Sequence, residues 1–219
     1  MNWNVSPKEA ILLQKELARK IICEDDFEGP IKTVAGVDLG YVQGKGHAVV
    51  VVLDFQSLEL IEVAEATLPV NFPYIPGLLS FRETPVAMEA FKKLQNKPDL
   101  IFCDGQGIAH PRRFGVACHI GLLTEKPTIG VAKSILVGSF ENLGTKRGEF
   151  AALIHKGEQI GVALRTKDDV QPVYVSVGHK ISLKTAIELT LKCSVKTKLP
   201  EPIRLADRFA SFRDKKSPT

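Results

Sequence analysis

The sequence predicts an α/β protein in which helices flank a mixed β-sheet within a single domain. Three strand-like segments follow one another early in the chain, and helical and strand-like segments alternate after them. This order is typical of a mixed sheet whose later strands are joined by crossover helices. The 219 residues, of which 44% are hydrophobic, suffice for one such domain with a sizeable core, and we assign residues 1–219 to it.

The first predicted element is a helix that begins with a capping box. In Ser6-Pro-Lys-Glu9, a serine precedes a glutamate by three residues and a proline occupies the first helical position. The apolar residues that follow have the spacing of one buried helix face: Leu13, Leu17, Ile21 and Ile22. The sequence Glu28-Gly-Pro30 ends this pattern.

Seven short apolar segments are predicted to form the strands of the sheet. They comprise residues 33–39, 48–55, 60–68, 99–103, 128–132, 160–164 and 173–176. A glycine-rich turn at Gly44-Lys-Gly46 joins the first two as a hairpin. The second contains five consecutive aliphatic residues, 49–53, so we expect that strand to be covered on both faces.

Helices are predicted between and after these strands. Thr84-Pro85 has the pattern of an N-cap followed by a first helical residue, and the helix continues through Leu94. Further helices are expected at about 115–124, at 182–191 and from Pro202 through Phe209. Prolines and glycines make residues 71–79 irregular, and the polar tail 213–219 is expected to fray.

Composition gives weaker information about partners and location. The net charge of +4 and the pI of about 8.8 favour a polyanionic partner only slightly. The four cysteines lack metal-ligand spacing, which fits free thiols in a reducing cytoplasm. The N-terminus has no signal-peptide pattern, and no apolar run approaches the ~18 residues of a transmembrane helix. We therefore expect a cytoplasmic protein without a membrane partner.

Three acidic residues are the main candidates for chemistry. Asp38 and Asp104 each end an apolar strand, and Glu83 lies next to a predicted helix start. If strand 99–103 lies parallel to strand 33–39, the two aspartates are neighbours at the sheet edge where α/β folds bind ligands. Carboxylates gathered there would bind Mg²⁺ or Mn²⁺ for phosphate chemistry. The alternative is that each acid caps a helix or faces solvent in a turn.

Other residues near the same predicted edge have roles that the spacing leaves open. Asp207 could be a fourth acid of the site or belong to a solvated helix face. Lys133, directly after strand 128–132, could neutralise charge on a phosphate or be an ordinary exposed lysine. His110 could hydrogen-bond a phosphate or a leaving oxygen, or it could cap a loop.

The segment Phe72-Pro-Tyr-Ile-Pro-Gly77 is predicted to be a rigid loop with exposed apolar side chains, because its prolines restrict the backbone. Tyr74 and Ile75 could insert between bases and hold one base out of the stack, unless the loop packs on the core. Four basic residues are candidates for phosphate contacts: Arg112, Arg113, Lys146 and Arg147.

Together these segments resemble the endonuclease V family, whose members cut strands beside deaminated adenine. The matching pieces occur in the order of the family and cover nearly the whole chain: Ala35-Gly-Val-Asp-Leu39, Phe72-Pro-Tyr-Ile-Pro-Gly-Leu-Leu79, Phe81-Arg-Glu-Thr-Pro85, Asp104-Gly-Gln-Gly-Ile-Ala-His-Pro111, Gly115-Val-Ala-Cys-His-Ile-Gly121, Thr128-Ile-Gly-Val-Ala-Lys-Ser134 and Arg204-Leu-Ala-Asp207.

The resemblance implies a ribonuclease H-like fold and an Mg²⁺-dependent endonuclease, with Mn²⁺ able to substitute. It implies hydrolysis of the second phosphodiester bond on the 3′ side of hypoxanthine, leaving 3′-hydroxyl and 5′-phosphate ends and starting DNA repair. The expected partner is DNA containing deoxyinosine, or RNA containing inosine, bound by a monomer. The sequence does not decide between DNA and RNA, and it leaves tolerance for uracil, xanthine or mismatches open.

The resemblance also implies roles for individual residues. Asp38, Glu83 and Asp104 match the metal-binding acids, Asp207 matches a position that carries His or Asp, and Lys133 matches a lysine near the scissile phosphate. Pro73, Tyr74, Ile75 and Pro76 match the strand-separating wedge. The positions that line the pocket for a flipped base are matched by Gly77, Leu79, Gly115, Val116 and Leu136. In this pocket, glycines would let backbone groups approach the base edge closely.

Two other functions compete with this one. Gly36-Val-Asp-Leu-Gly40 also resembles the first phosphate loop of actin-like kinases and ATPases, although these are usually far longer and have a second such loop. A non-catalytic inosine-binding protein would use the wedge and the pocket without cutting. It would not need repelling carboxylates near phosphate, since gathered like charges cost energy.

Overall fold

The computed structural model describes residues 3–42 and 44–214, which form five helices and an eight-stranded mixed sheet. In chain order the elements are α1 (Pro7–Ala18), β1 (Thr33–Val42), β2 (Lys45–Asp54), β3 (Leu60–Leu68), α2 (Leu79–Lys92), β4 (Leu100–Asp104), α3 (Val116–Thr124), β5 (Thr128–Ala132), β6 (Phe150–His155), β7 (Glu158–Leu164), β8 (Val173–His179), α4 (Leu183–Cys193) and α5 (Glu201–Asp214). The strands lie in the order β3-β2-β1-β4-β5-β8-β7-β6.

The centre of the sheet confirms the predicted hairpin and shows the parallel pairing on which the expected meeting of the two aspartates depended. β1 and β2 form an antiparallel hairpin, whereas β4 runs parallel to β1 with Val37 opposite Cys103. β5 runs parallel to β4, with Asp104 opposite Val131. The carboxyl ends of β1, β4 and β5 therefore meet at one edge of the sheet, as the position of the aspartates predicted.

The core lies on both faces of the sheet, and β2 contributes to each. Val49, Val51 and Leu53 pack into the cluster beneath α4 and α5, while Val50 and Val52 pack into the cluster beneath α2 and α3. All five side chains are fully buried. Each buried aliphatic side chain of this kind contributes about 1.5–3 kcal/mol relative to an exposed one. The prediction of a strand covered on both faces is confirmed.

Several predicted helix boundaries were wrong, most clearly those of α1 and α2. α1 ends at Ala18, so Ile21 and Ile22 lie beyond it. α2 begins at Leu79, and Pro85 lies inside it instead of at its first position. A proline there cannot donate to the carbonyl group one turn earlier. The buried face of the helix, which includes Phe81, Thr84 and Val86, compensates for this loss.

The strand β6 was not predicted from the sequence, and the last helix is longer than predicted. In β6, Phe150 and Ile154 are exposed while Ala151 and Leu153 are buried. Apolar residues on both faces concealed the alternation from which a strand is usually recognised. At the terminus, α5 extends to Asp214, and residues 215–219 of the predicted frayed tail lie outside the described residues. Within the described residues, no helix is long and apolar enough to span a membrane.

Candidate active site

A pocket of about 480 Å³ opens at the sheet edge where β1, β4 and β5 end. Most of the residues singled out from the sequence line it: Asp38, Tyr74, Pro76, Gly77, Leu79, Glu83, Asp104, His110, Gly115, Val116, Lys133 and Leu136. These residues come from four separate stretches of the chain, at 38, 74–83, 104–116 and 133–136, so the fold assembles a single cavity from distant pieces of sequence. Pro73, Ile75 and Asp207 are not among the residues that line it.

Asp38 and Asp104 occupy equivalent places on neighbouring parallel strands. The strand pair holds Val37 opposite Cys103, so each aspartate follows one member of that pair. Lys133 follows the last residue of β5, and its Nζ atom lies 2.6 Å from Oδ2 of Asp104. Burial alone would lower the pKa of Lys133, but its hydrogen bond to Asp104 and the surrounding carboxylates outweigh burial and raise that pKa. The lysine is therefore a positive charge held at the pocket.

Glu83 reaches the pocket from the second turn of α2, because the helix starts four residues before it. The expectation that Glu83 precedes a helix start was wrong, so the helix dipole does not explain its position. The pKa of Glu83 is raised to about 7, chiefly by burial; the charge of Arg82 opposes the rise, and the charges of Asp38 and Asp104 contribute to it. The protonated form of this carboxyl is thus favoured by its surroundings.

Asp38 experiences the same repulsion. Burial, followed by the charges of Asp104 and Asp207, raises its pKa to about 6, although the charge of Lys133 acts in the opposite direction. Asp207 thus acts on the site electrostatically from α5, although it does not line the cavity. The carboxylates carry more negative charge than Lys133 offsets.

This excess of negative charge fits a divalent cation. Within residues 3–42 and 44–214, no three His, Cys, Asp or Glu side chains form a ready cluster that could hold a metal ion. Mg²⁺, however, is usually bound by one or two carboxylates, with water and substrate phosphates completing its coordination. Asp38 and Asp104 on adjacent strands, with Glu83 facing them, provide hard oxygen donors of the kind that Mg²⁺ and Mn²⁺ prefer.

The contacts of His110 within the protein are those of the second role left open for it, a histidine that caps a loop. Its imidazole is buried, with Nε2 3.0 Å from the Gly77 carbonyl oxygen and Nδ1 3.1 Å from the Arg112 backbone nitrogen. These partners require a proton on Nε2 and a lone pair on Nδ1. Burial, followed by the charge of Arg112, lowers the pKa of His110 to about 4. His110 is therefore neutral near pH 7 and holds the loop at Gly77.

The loop at residues 71–78 exposes some of its apolar side chains and buries others. Tyr74 is 67% exposed and stands at the pocket, next to the exposed residues Pro73 and Pro76. Ile75 is partly buried and packs, with Phe72, against a cluster that includes residues of α1. Tyr74 is therefore accessible to a ligand, whereas Ile75 anchors the loop. The two residues, which were predicted to have the same role, thus differ in exposure.

The two glycines of the predicted base pocket are required for different reasons. Gly77 has φ +79°, and a Cβ there would lie 2.9 Å from Nη2 of Arg112. A Cβ on Gly115 would lie 2.1 Å from the Gln106 carbonyl oxygen. The small size of Gly115 thus permits close packing of two loops of the protein itself at the wall of the pocket.

The four basic residues predicted to contact phosphate all have partners within the protein. Arg113 pairs with Glu158 at 2.7 Å, and Lys146 pairs with Asp168 at 3.4 Å. Arg147 donates to the Leu191 carbonyl oxygen, and Arg112 donates to that of Gly77. None of the four lines the pocket. Their predicted role is therefore not supported by their position.

The sequence reading missed Gln106, which also lines the pocket. Its Nε2 donates to the Ser134 carbonyl oxygen at 2.9 Å and so connects the loop after β4 with the loop after β5. The signal for it was present in the Asp104-Gly-Gln-Gly107 motif, in which a polar side chain stands between two glycines.

Comparison with known proteins agrees with the resemblance read from the sequence. A family model for endonuclease V matches residues 15–208. An endonuclease V of Trichormus variabilis is 52% identical over 214 residues, which cover 96% of each chain. Among solved structures, an endonuclease V from Streptomyces avermitilis superposes with a TM-score of 0.91 at 41% identity, covering 99% of this chain and 97% of the other.

A further solved structure contains nucleic acid. An endonuclease V from Ciona intestinalis, in complex with a 23mer DNA containing an inosine followed by a ribo-adenosine, superposes with a TM-score of 0.84 at 28% identity. The superposition covers 97% of this chain and 99% of the other. Through the family model, and through identity above 50% over nearly the full length, the chain belongs to the endonuclease V family.

Proposed function

We propose that this metal-dependent nuclease recognises hypoxanthine in nucleic acid and cuts the second phosphodiester bond on its 3′ side. The products would carry 3′-hydroxyl and 5′-phosphate ends, and the cut would start the repair of deaminated adenine. Mg²⁺ is the proposed cofactor, with Mn²⁺ able to replace it. The Ciona intestinalis relative bound to inosine-containing DNA supports hypoxanthine as the recognised base.

This proposal rests on one observation: a single pocket has two chemically different walls. One wall contains Asp38, Glu83, Asp104 and Lys133, which suit a phosphate and its metal. The other is formed around Gly77, next to the exposed Tyr74. A nucleotide whose base enters the second wall would therefore place a neighbouring phosphate near the carboxylates.

Each residue of the first wall has a role that follows from its charge. Asp38, Asp104 and Glu83 would hold Mg²⁺, which when bound supplies positive charge at the phosphate and lowers the pKa of a coordinated water. Lys133 keeps its proton because of Asp104, so it can donate a hydrogen bond to a phosphate oxygen as negative charge develops there. Asp207 would add negative charge behind Asp38 and strengthen its hold on a cation.

Base selection would follow from hydrogen-bond polarity. Hypoxanthine presents O6 as an acceptor and N1–H as a donor, whereas adenine presents an amino group and an unprotonated N1. A backbone N–H held opposite this position would donate a hydrogen bond to O6 of hypoxanthine. When adenine enters, the same N–H would face the amino group, which is also a donor. Leaving such a buried group unsatisfied costs about 1–3 kcal/mol.

The proposal is tested by cleavage of end-labelled oligonucleotides that contain one deoxyinosine, one inosine or the matching adenine. Each substrate is incubated with Mg²⁺ and with EDTA, and the product ends are mapped. We expect an Mg²⁺-dependent cut one nucleotide beyond the lesion and none at adenine, and the ratio of rates on DNA and RNA identifies the preferred substrate. Cutting without regard to the base would contradict the proposal.

A further inference from the structure

Gln14 is a buried polar residue of α1 that lies outside the pocket and yet contacts two segments that form it. Its side chain is fully buried, although the helix around it packs through apolar residues such as Ala10 and Leu13. Its Nε2 lies 3.0 Å from the Gly77 carbonyl oxygen and 3.1 Å from the Phe114 carbonyl oxygen. A buried amide is stable only when such partners satisfy it, so Gln14 fixes the places of both carbonyl groups.

These two carbonyl groups belong to two different segments of the chain that line the pocket. Gly77 lies in the loop that carries Tyr74, and Phe114 precedes Gly115 at the start of α3. Gln14 is 63 residues from one and 100 residues from the other along the chain. One amide group therefore spans the two loops and sets the distance between them.

Arg112 closes the same network. Its Nε donates to Oε1 of Gln14, and its Nη2 donates to the Gly77 carbonyl oxygen at 2.6 Å. Together with His110, three side chains direct donors at that one carbonyl group. Hydrogen bonds from a guanidinium are roughly twice as strong as neutral ones, so Gly77 is held firmly.

We propose that Gln14 and Arg112 form a clamp that sets the width of the base pocket and thereby determines how strictly hypoxanthine is selected. The inference rests on the proposed function, because it assumes that Gly77 and Gly115 border the bound base. Discrimination by hydrogen bonds requires donors held at fixed positions, and a displacement of about 1 Å in a positioning group can cost about a hundredfold in rate. The clamp supplies this rigidity from outside the pocket.

Two substitutions of Gln14 distinguish the effect of its hydrogen bonds from the effect of its volume. Gln14→Glu keeps the shape and the acceptor for Arg112 but places a carboxylate oxygen against two carbonyl oxygens. Gln14→Met keeps a similar volume and removes every hydrogen bond. Thr166→Val is the matched control, since Thr166 is buried and its hydroxyl donates to the Lys198 carbonyl oxygen in another part of the fold.

Two measurements are needed, and the first does not depend on catalysis. Hydrogen exchange of residues 71–79 in the substrate-free protein should be faster in both Gln14 variants and unchanged in Thr166→Val. The second is the ratio of affinities for deoxyinosine and adenine oligonucleotides in Ca²⁺, where cutting should be suppressed. This ratio should fall by about tenfold in the Gln14 variants, the scale of one weakened polar contact, and remain at the wild-type value in the control.

The outcomes distinguish this inference from the proposed function. If the wild-type enzyme does not prefer hypoxanthine, the proposed function fails, and the selection role of the clamp fails with it. If the wild type prefers hypoxanthine but the Gln14 variants retain the full preference, the inference alone is overturned. If Gln14→Glu does not fold, Arg112→Lys replaces it, because lysine cannot reproduce the guanidinium fork that contacts both Gln14 and Gly77.

Discussion

At the scale of single residues, the pocket gathers carboxylates that repel one another beside a lysine that offsets part of their charge. The raised pKa values of Asp38 and Glu83 record this repulsion together with burial. Such an arrangement is unfavourable for the protein alone and becomes favourable when a cation joins it. The residues of the site are therefore better suited to the proposed metal complex than to the metal-free protein.

Asp104→Asn is expected to abolish most of the cleavage activity while leaving binding largely intact. The amide keeps the shape of the side chain but removes the charge that would hold the metal and that pairs with Lys133 at 2.6 Å. We expect a loss of roughly a hundredfold or more in single-turnover rate, the usual effect of removing one electrostatic group from an active site. Asp168→Asn, which alters an exposed ion pair, is the control. Unaltered turnover in Asp104→Asn would refute Asp104 as a metal ligand.

His119 gives a prediction about stability and pH. Its imidazole is fully buried among the rings of Trp3, Phe81 and Phe114, and burial lowers its pKa to about 3. Below the ordinary histidine pKa of about 6.5, the unfolded chain therefore binds a proton that the folded protein does not. Folding stability must fall as pH decreases from 6.5 towards 3.

For His119 this loss amounts to about 2 kcal/mol between pH 7 and pH 5. Urea unfolding of the wild type and of His119→Phe at both pH values measures it, because contributions of the other groups cancel in the difference. We expect the wild type to lose about 2 kcal/mol more than the variant over this interval. Equal losses would mean that His119 becomes protonated within the folded protein.

At the scale of elements, the position of α5 depends on a glycine in β1. A Cβ on Gly36 would lie 2.1 Å from the Pro202 carbonyl oxygen and 2.8 Å from the Ile203 nitrogen, so the helix start lies directly on the strand. This contact places the whole of α5, and with it Asp207, behind Asp38. The backbone contact thus determines whether a fourth acid influences the site.

Gly36→Ala is expected to displace α5, destabilise the fold by about 1–3 kcal/mol and reduce cleavage. Gly40→Ala is the matched control on the same strand, since a Cβ at Gly40 would meet no atom within 4 Å. Thermal unfolding and single-turnover cleavage of both variants test this. If Gly36→Ala equals Gly40→Ala in both measurements, the helix position does not depend on this contact.

The loop at residues 71–78 leads to a prediction about substrate form. Tyr74 is 67% exposed, and the proposed wedge replaces a partner base that exists only in a duplex. Tyr74→Ala should weaken binding to a duplex that contains deoxyinosine by roughly tenfold, since one aromatic stacking contact contributes about 1–3 kcal/mol. Binding to the single strand should weaken less.

Phe150→Ala is the control for Tyr74→Ala, because it removes another exposed aromatic ring, on β6, outside the pocket. Affinities of both variants for duplex and single-stranded substrates are compared by fluorescence anisotropy. Equal losses on the two substrates in Tyr74→Ala would indicate that Tyr74 supports the loop and does not separate strands.

At the scale of the whole molecule, metal binding should stabilise the fold, because the proposed site exists only when β1, β4 and α2 come together. At a hundredfold excess of Mg²⁺ over its Kd, the gain is about 2.7 kcal/mol, and each kcal/mol raises the Tm of a chain of this size by about 2–4 °C. Thermal unfolding in Mg²⁺ and in EDTA measures the difference.

Asp38→Asn should remove most of this Mg²⁺ response and raise the Tm of the metal-free protein above pH 6, because it eliminates a repelled carboxylate. A Tm that rises equally with Mg²⁺ in the wild type and in Asp38→Asn would show that the ion acts elsewhere on the molecule.

The family assignment also excludes the kinase interpretation of Gly36-Val-Asp-Leu-Gly40, since the chain belongs to a family of nucleases.

The sequence by itself determined the fold class, the first hairpin and the family. Caps, turns and apolar runs are local signals. β3 runs in the direction of β1 because two antiparallel pairings separate them, and the crossover helix α2 then leads from β3 to β4, which is parallel to β1. For the same reason Asp38 and Asp104 could be placed together from sequence. Exceptions arose where local signals conflicted with burial, as at Pro85 inside α2 and at β6, which has apolar residues on both faces.

Only the tertiary structure decided which contacts form between residues that lie far apart along the chain. Glu83 reaches the pocket from within α2 because this helix begins six residues earlier than its proline suggested. Gly115 is small because another loop packs against it, and Gln14 joins two carbonyl groups that lie 63 and 100 residues away. Such contacts depend on the distances between elements after packing, which no local pattern of residues encodes.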